Sequence, residues 1–115
     1  MQYLLLIYEA ETGGPKKADG AAMMAEYKEF SESIVKSGHM RGGNALKPIA
    51  TATTVRVRDG KTLSTDGPFA ETREQLGGYY LIEAKDLDEA TQIAARIPSA
   101  RWGSVEVRPI MVFGP

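Results

Sequence analysis

The chain has 115 residues, 43% hydrophobic and 25% charged, which suits a single domain over residues 1–115 with a packed core and excludes a disordered chain. Its formal charge is −1 with both signs interspersed, so no basic stripe offers the field that nucleic acid requires, and no nucleic-acid partner is expected. Cysteine is absent, which excludes disulfides, thiol nucleophiles and cysteine-based zinc or redox sites.

The first expected element is a strand over residues 2–8, where Leu4, Leu5, Leu6 and Ile7 are flanked by Tyr3 and Tyr8 and closed by Glu9. The run is too short to span a bilayer and lacks the basic start and small-residue cleavage site of a signal peptide. A cytoplasmic protein with no membrane partner is therefore expected. Glu11 to Pro15 reads as a loop, and Asp19 can cap a helix through its carboxylate. Met23, Tyr27, Phe30 and Ile34 then recur at spacings of four, three and four, one apolar stripe of a first helix. Gly38 ends it, because glycine accepts the left-handed conformation of a C-terminal cap.

Gly42-Gly43-Asn44 is expected to break regular structure, with Ala45-Leu46-Lys47 as a short strand before Pro48. From Thr51 to Arg58 the chain alternates, with Thr53, Val55 and Val57 on one side and Thr54, Arg56 and Arg58 on the other. Asp59-Gly60 signals a type I′ turn, and Lys61 to Thr65 would return antiparallel. Residues 66–76 form a polar excursion, after which Gly77-Gly78 leads into a strand from Tyr79 to Ala84. Tyr79 and Tyr80 point to opposite faces, one towards core or interface and the other towards a pocket. Asp86 and Glu89 have the spacing of a capping box for a second helix. Leu87, Ala90, Ile93, Ala94 and Ile97 are its expected buried face, and Pro98 its stop. Trp102 lies in the next loop, as a packing or dimer-contact residue. The last strand runs from Ser104 to Val112, and Pro109 within it belongs on an edge or at a bulge. The order strand, helix, hairpin, strand, helix, strand is that of a ferredoxin-like α+β fold, βαββαβ with additional central strands. A domain this short leaves much surface exposed, so a homodimer is expected.

From Asp66 through Gly67-Pro68-Phe69-Ala70-Glu71-Thr72-Arg73-Glu74-Gln75-Leu76-Gly77-Gly78 to Tyr80 the chain resembles the DGPF branch of the YCII-related family. The opening strand, Asp86-Leu87-Asp88-Glu89-Ala90, Ile97-Pro98 and Val105-Glu106-Val107-Arg108-Pro109-Ile110 extend the likeness over essentially the whole chain. Where relatives commonly carry lysine after the threonine, this chain has Arg73, with the same charge and a different geometry. The resemblance implies a dimeric α+β barrel, two sheets face to face with helices outside. It implies little about chemistry; small relatives are often encoded beside alternative sigma factors. The wider group has a suspected His–Asp dyad whose histidine lies early in the first helix, where this chain reads Ala21-Ala22-Met23-Met24-Ala25.

His39 is the sole histidine, either a general base or a cation near the negative end of the first helix. Asp66 is either a carboxylate held in a cleft by Gly67 and Pro68 or the first residue of an Asx turn, with Phe69 as a hydrophobic plug. Asp66 and His39 are the catalytic candidates. Glu71, Arg73 and Glu74 form either a solvated loop face or a ligand contact in which Arg73 clamps a carboxylate. Arg108 and Glu106 share one sheet face, as ligand contacts if that face is enclosed and as a surface pair if it is open. Arg73, Glu71, Arg108 and Tyr79 are thus the binding candidates for a small molecule of unspecified identity. One histidine supplies no dedicated metal site, and the glycine pairs lack the spacing of phosphate-cradling loops, so neither metal nor cofactor is expected. Three functional readings remain open: a small-molecule enzyme using acid–base residues, a non-catalytic ligand-binding or sensory module linked to sigma-factor regulation, and a structural dimer acting through a protein partner.

Overall fold

A computed structural model describes residues 1–12 and 20–114. The expected loop at Gly13-Gly14-Pro15 and the Asp19 cap lie outside the described residues. The architecture is mixed α+β, with two helices and antiparallel sheets. The first strand, β1 (Gln2–Glu9), buries Tyr3, Leu5 and Ile7 and leaves Leu4, Leu6 and Tyr8 half-buried on its other side, the alternation that a pleated strand imposes.

Helix α1 (Gly20–Lys36) sends Phe30 and Ile34 into the core, with Tyr27 packed beside them. It closes in a Schellman motif. Gly38 has φ +83°, its N–H donates to Val35 O (3.1 Å), and the His39 N–H donates to Ile34 O (2.9 Å).

Strand β2 is Met40–Ala45, so Gly42-Gly43-Asn44 lies inside a strand, and of the short strand expected at Ala45-Leu46-Lys47 only Ala45 is strand, as the end of β2. The expected break does not occur because β2 zips against β5 (Gln75–Glu83), with a register shift between Met40 and Gly42. A ladder of backbone hydrogen bonds outweighs the poor strand propensity of glycine.

Between them, β3 (Thr53–Arg58) and β4 (Lys61–Asp66) pair as a separate two-stranded hairpin. Asp59 and Gly60 have φ +52° and +74°, as a type I′ turn demands.

Helix α2 (Leu87–Ala95) begins on Asp86, whose Oδ1 accepts the Glu89 N–H (2.9 Å), and buries Ala90, Ile93 and Ala94. Leu87, expected in that buried face, is exposed, because the first helical position points away from the sheet. Pro98 opens a short 3-10 turn, Pro98–Arg101, and the last strand is β6 (Ser104–Pro109).

The main sheet has the order β2-β5-β1-β6, all neighbours antiparallel, so β6 and with it Pro109 occupy an edge. The core lies between one face of this sheet and the two helices: Tyr3, Leu5, Ile7, Tyr80 and Ile82 meet Phe30, Ile34, Ala90, Ile93 and Ile97. Phe30 and Tyr80 contact edge to face at 5.2 Å, and the Ser31 and Tyr80 hydroxyls are 2.8 Å apart. The opposite face carries Leu4, Leu6, Tyr8, Tyr79 and Leu81, half-buried, with no helix over them among the described residues. Among the described residues no helix is long and apolar enough to cross a membrane.

Candidate functional site

One concave feature follows from glycine placement. Directly opposed residues of paired strands share a face, so Ile7–Gly78–Ala45 and Leu5–Tyr80–Gly43 form two rows beneath α1. At the β2 end both rows finish in small residues. A Cβ on Gly78 would come within 3.0 Å of Asn44 O, and one on Gly43 within 2.8 Å of Tyr79 O. The strands meet backbone to backbone there, and nothing rises from the sheet to fill the space below the start of α1.

That space is a cleft of about 650 Å³, within the usual range for small-molecule sites, about 300–1,000 Å³. Met23 and Met24 of α1 and Met40 of β2 line it, with Tyr27, Tyr80, Leu46 and Ile7. Its polar lining includes Ser31, Asn44 and Glu9. Thioethers and phenols give an adaptable, polarisable wall suited to flat apolar molecules.

Each polar group in the lining is held. Trp102 Nε1 donates to Glu9 Oε2 (2.7 Å), whereas the Asn44 and Tyr79 side chains turn to the opposite sheet face, where Asn44 Nδ2 donates to the Tyr79 phenol oxygen (2.9 Å). Tyr27 shares a short hydrogen bond with Ser99, itself fully buried. Burial pushes the Tyr27 phenol above its ordinary pKa, partly offset by the Ser99 hydrogen bond. The phenol is therefore neutral at physiological pH and acts as a hydrogen-bonding group, not as a base.

Of the residues singled out in the sequence, Tyr79 borders this cleft, whereas Asp66, His39, Glu71, Arg73 and Arg108 are not among its described lining. Asp66 is the exposed last residue of β4. Beyond it, Gly67 (φ +100°) donates to Ala52 O (2.7 Å) and accepts from Thr54 Oγ1 (2.8 Å), closing the neck of the hairpin. Phe69 is 79% exposed and does not plug this loop; among the described residues it is not part of the hydrophobic core. Glu71 and Arg73 are exposed, while Glu74 accepts from Ser104 Oγ (2.8 Å) and ties the loop to β6.

Arg108 is brought together with Glu106, Nε to Oε2 at 2.6 Å, on the sheet face away from the helices. His39 Nδ1 lies 2.7 Å from Ser37 Oγ and its Nε2 lies 3.2 Å from Glu89 Oε1. Glu89 Oε1 also accepts the Lys85 N–H (3.0 Å), so His39 links the end of α1 to the start of α2. No cluster of three or more metal-ligating side chains occurs among the described residues.

Sequence reasoning passed over Met23, Met24, Met40, Gly43, Gly78, Asn44 and Glu9 as site residues. The available signal was the glycine pairs Gly42-Gly43 and Gly77-Gly78, but only the pairing of β2 with β5 brings Gly43 and Gly78 onto neighbouring rungs of one sheet face.

The chain belongs to the YCII-related domain family, which matches residues 1–114. It is similar to "Uncharacterized protein R00369" of Rhizobium meliloti (strain 1021), 37% identical over 119 residues, with all of this chain and 96% of that protein covered.

Proposed function

We propose that this YCII-related chain, of the DGPF branch by its Asp66–Tyr80 run, is a cytoplasmic homodimer. Its function in this reading is to bind an apolar, ring-sized small molecule in the cleft beneath α1, as a ligand-binding or sensory module. The single observation that carries the reading is the cleft itself, floored by Gly43 and Gly78 and walled by methionine and tyrosine. The strand order β2-β5-β1-β6, with α1 between β1 and β2 and α2 between β5 and β6, supports a ferredoxin-like unit. The uncovered face bearing Leu4, Leu6, Tyr8 and Leu81 supports pairing of two such sheets face to face, as in a dimeric α+β barrel.

A binding role fits the cleft better than the acid–base catalysis expected of Asp66 and His39, because both lie elsewhere and the carboxylate that does line it, Glu9, is engaged by Trp102 Nε1. Asp66, Glu71 and Arg73 keep a role in this reading only if a ligand also touches the exposed loop.

A thermal-shift screen of uncharged ring compounds tests the proposal. A hit at a hundredfold excess over its Kd raises Tm by about 10 °C for a domain of this size. Met23→Trp, which fills the cleft from the helix side, abolishes that shift, and Asp66→Asn leaves it unchanged. A shift that survives Met23→Trp and disappears in Asp66→Asn would move the site to the loop and restore the acid–base reading.

A further inference from the structure

Two hydroxyl pairs stand in the wall of the cleft. Tyr27 Oη lies 2.5 Å from Ser99 Oγ, and Ser31 Oγ lies 2.8 Å from Tyr80 Oη. Each pair holds two hydrogens and uses one in its shared bond, so each has one left over. In the first pair, burial decides whose hydrogen that is. Ser99 sits in the 3-10 turn packed against α1 and β1 and is 1% exposed. Tyr27 is the one hydrogen-bond partner of Ser99 Oγ among the described residues. Were Tyr27 to donate, the Ser99 hydrogen would be buried without an acceptor, whereas the half-buried phenol can turn its own hydrogen to the cleft it lines. Ser99 Oγ therefore donates to Tyr27 Oη. The Ser99 backbone N–H also faces that oxygen, so its lone pairs are engaged and its hydrogen is left to give.

We infer that the cleft takes a ring bearing a carbonyl oxygen, which accepts the Tyr27 O–H, and that Ser99 is the positioning residue that turns this donor inward. The inference rests on the small-molecule reading above and names the ligand class of the same site. Three arguments select a carbonyl. A phenol whose lone pairs are engaged needs an acceptor, and an ammonium group brings only hydrogens. An anionic acceptor would exchange water for a wall of methionine and tyrosine, a desolvation cost that an uncharged oxygen avoids. A ligand hydroxyl could accept too, but it carries a hydrogen that needs its own partner in that apolar wall, whereas a carbonyl leaves nothing unpaired. A carbonyl conjugated with a ring is also flat, which suits the space between the Gly43–Gly78 floor and Met23 and Tyr27 above it.

The matched probes 1-indanone and indane, one bicycle with and without the oxygen, test this by calorimetric titration of the full chain. The ketone should bind about three- to tenfold more tightly than the hydrocarbon, as one net hydrogen bond provides. Tyr27→Phe keeps the ring, and should bring that ratio below about twofold while indane binding changes by less than about twofold. The carbonyl stretch of the bound ketone should lie below its value in hydrocarbon solvent and return towards it in Tyr27→Phe, which a mere packing role for the ring would not produce. Ser99→Ala should lower the ratio part of the way, because the phenol hydrogen stays available and loses its fixed direction. Equal binding of the two probes would overturn the donor and leave the cleft reading standing. Failure of both to bind at millimolar concentration, or binding that survives Met23→Trp, would overturn both readings. A ratio that survives Tyr27→Phe would place the donor on the Ser31–Tyr80 pair, and a ratio that rises in Ser99→Ala would show the phenol hydrogen held by Ser99; either result overturns the assignment.

Discussion

Strands β1 and β3 obey the same rule and meet different fates. Both set apolar side chains on one face at every second position, β1 within a continuous apolar run and β3 between threonine and arginine, and both pair antiparallel along their length. In β1 the inward residues Tyr3, Leu5 and Ile7 are at most 6% exposed, whereas Val55 and Val57 of β3 are 61% and 60% exposed. The difference is the layer above. Two helices cover β1, and no element among the described residues covers β3. Alternation therefore specifies which side of a strand is to be covered, and says nothing about which chain does the covering.

Substitutions at the two strands sharpen this contrast. Leu5→Ala removes a fully buried side chain and should cost about 2–5 kcal/mol in denaturant unfolding, while Val55→Ala in a monomeric background should cost less than about 0.5 kcal/mol. Similar losses at the two positions would show that β3 is covered within one chain.

Gly43→Ala comes next. Its Cβ would sit 2.8 Å from Tyr79 O and 3.0 Å from the Tyr80 ring, so β2 must shift from β5 at about 1–3 kcal/mol. The same shift deforms the cleft floor, so ligand-induced stabilisation should fall along with Tm. Asp86→Ala removes the α2 cap and should cost about 1 kcal/mol, read as a lower unfolding midpoint with an unchanged m-value.

The smallest expected effect is a pH dependence. The Lys85 N–H, with His39 as a further cause, holds the Glu89 carboxyl below its ordinary pKa of 4.5. Because its folded pKa is depressed, the unfolded chain binds the proton first. Glu89 thus contributes stability that is fully present above the ordinary value and lost as pH falls through the folded one. Glu89→Gln should flatten the acid limb of the stability–pH curve below about pH 4.5 and leave the neutral region's slope unchanged. An unaltered acid limb would remove this contact from the linkage.

The framework was legible because local physics decided it. The stripe through Phe30 and Ile34, the Gly38 cap, the Asp59-Gly60 turn and the Asp86–Glu89 spacing each act over a few residues, and each appears where the residues indicate. The edge position of Pro109 was legible for the same reason. The cleft was not, because it depends on Gly43 meeting Tyr80 and Gly78 meeting Ala45 across strands more than thirty positions apart. Phe69 and Leu87 were misplaced for a related reason. A large apolar side chain is read as inward unless its surroundings are known, and solvent-exposed apolar atoms are common. The Asp66 loop attracted attention by its charges, but charge in a turn does not specify whether a concavity lies beneath it.

Pro109 has one more consequence. Ile110 donates inward to Gln2 O (2.9 Å), and successive residues of a strand face opposite ways, so position 109 faces outward. Proline has no hydrogen there to offer, and the outward series of donors along β6 stops at Val107. A foreign strand approaching this margin would find its ladder cut short, so the β6 border of the sheet resists templating fibril growth.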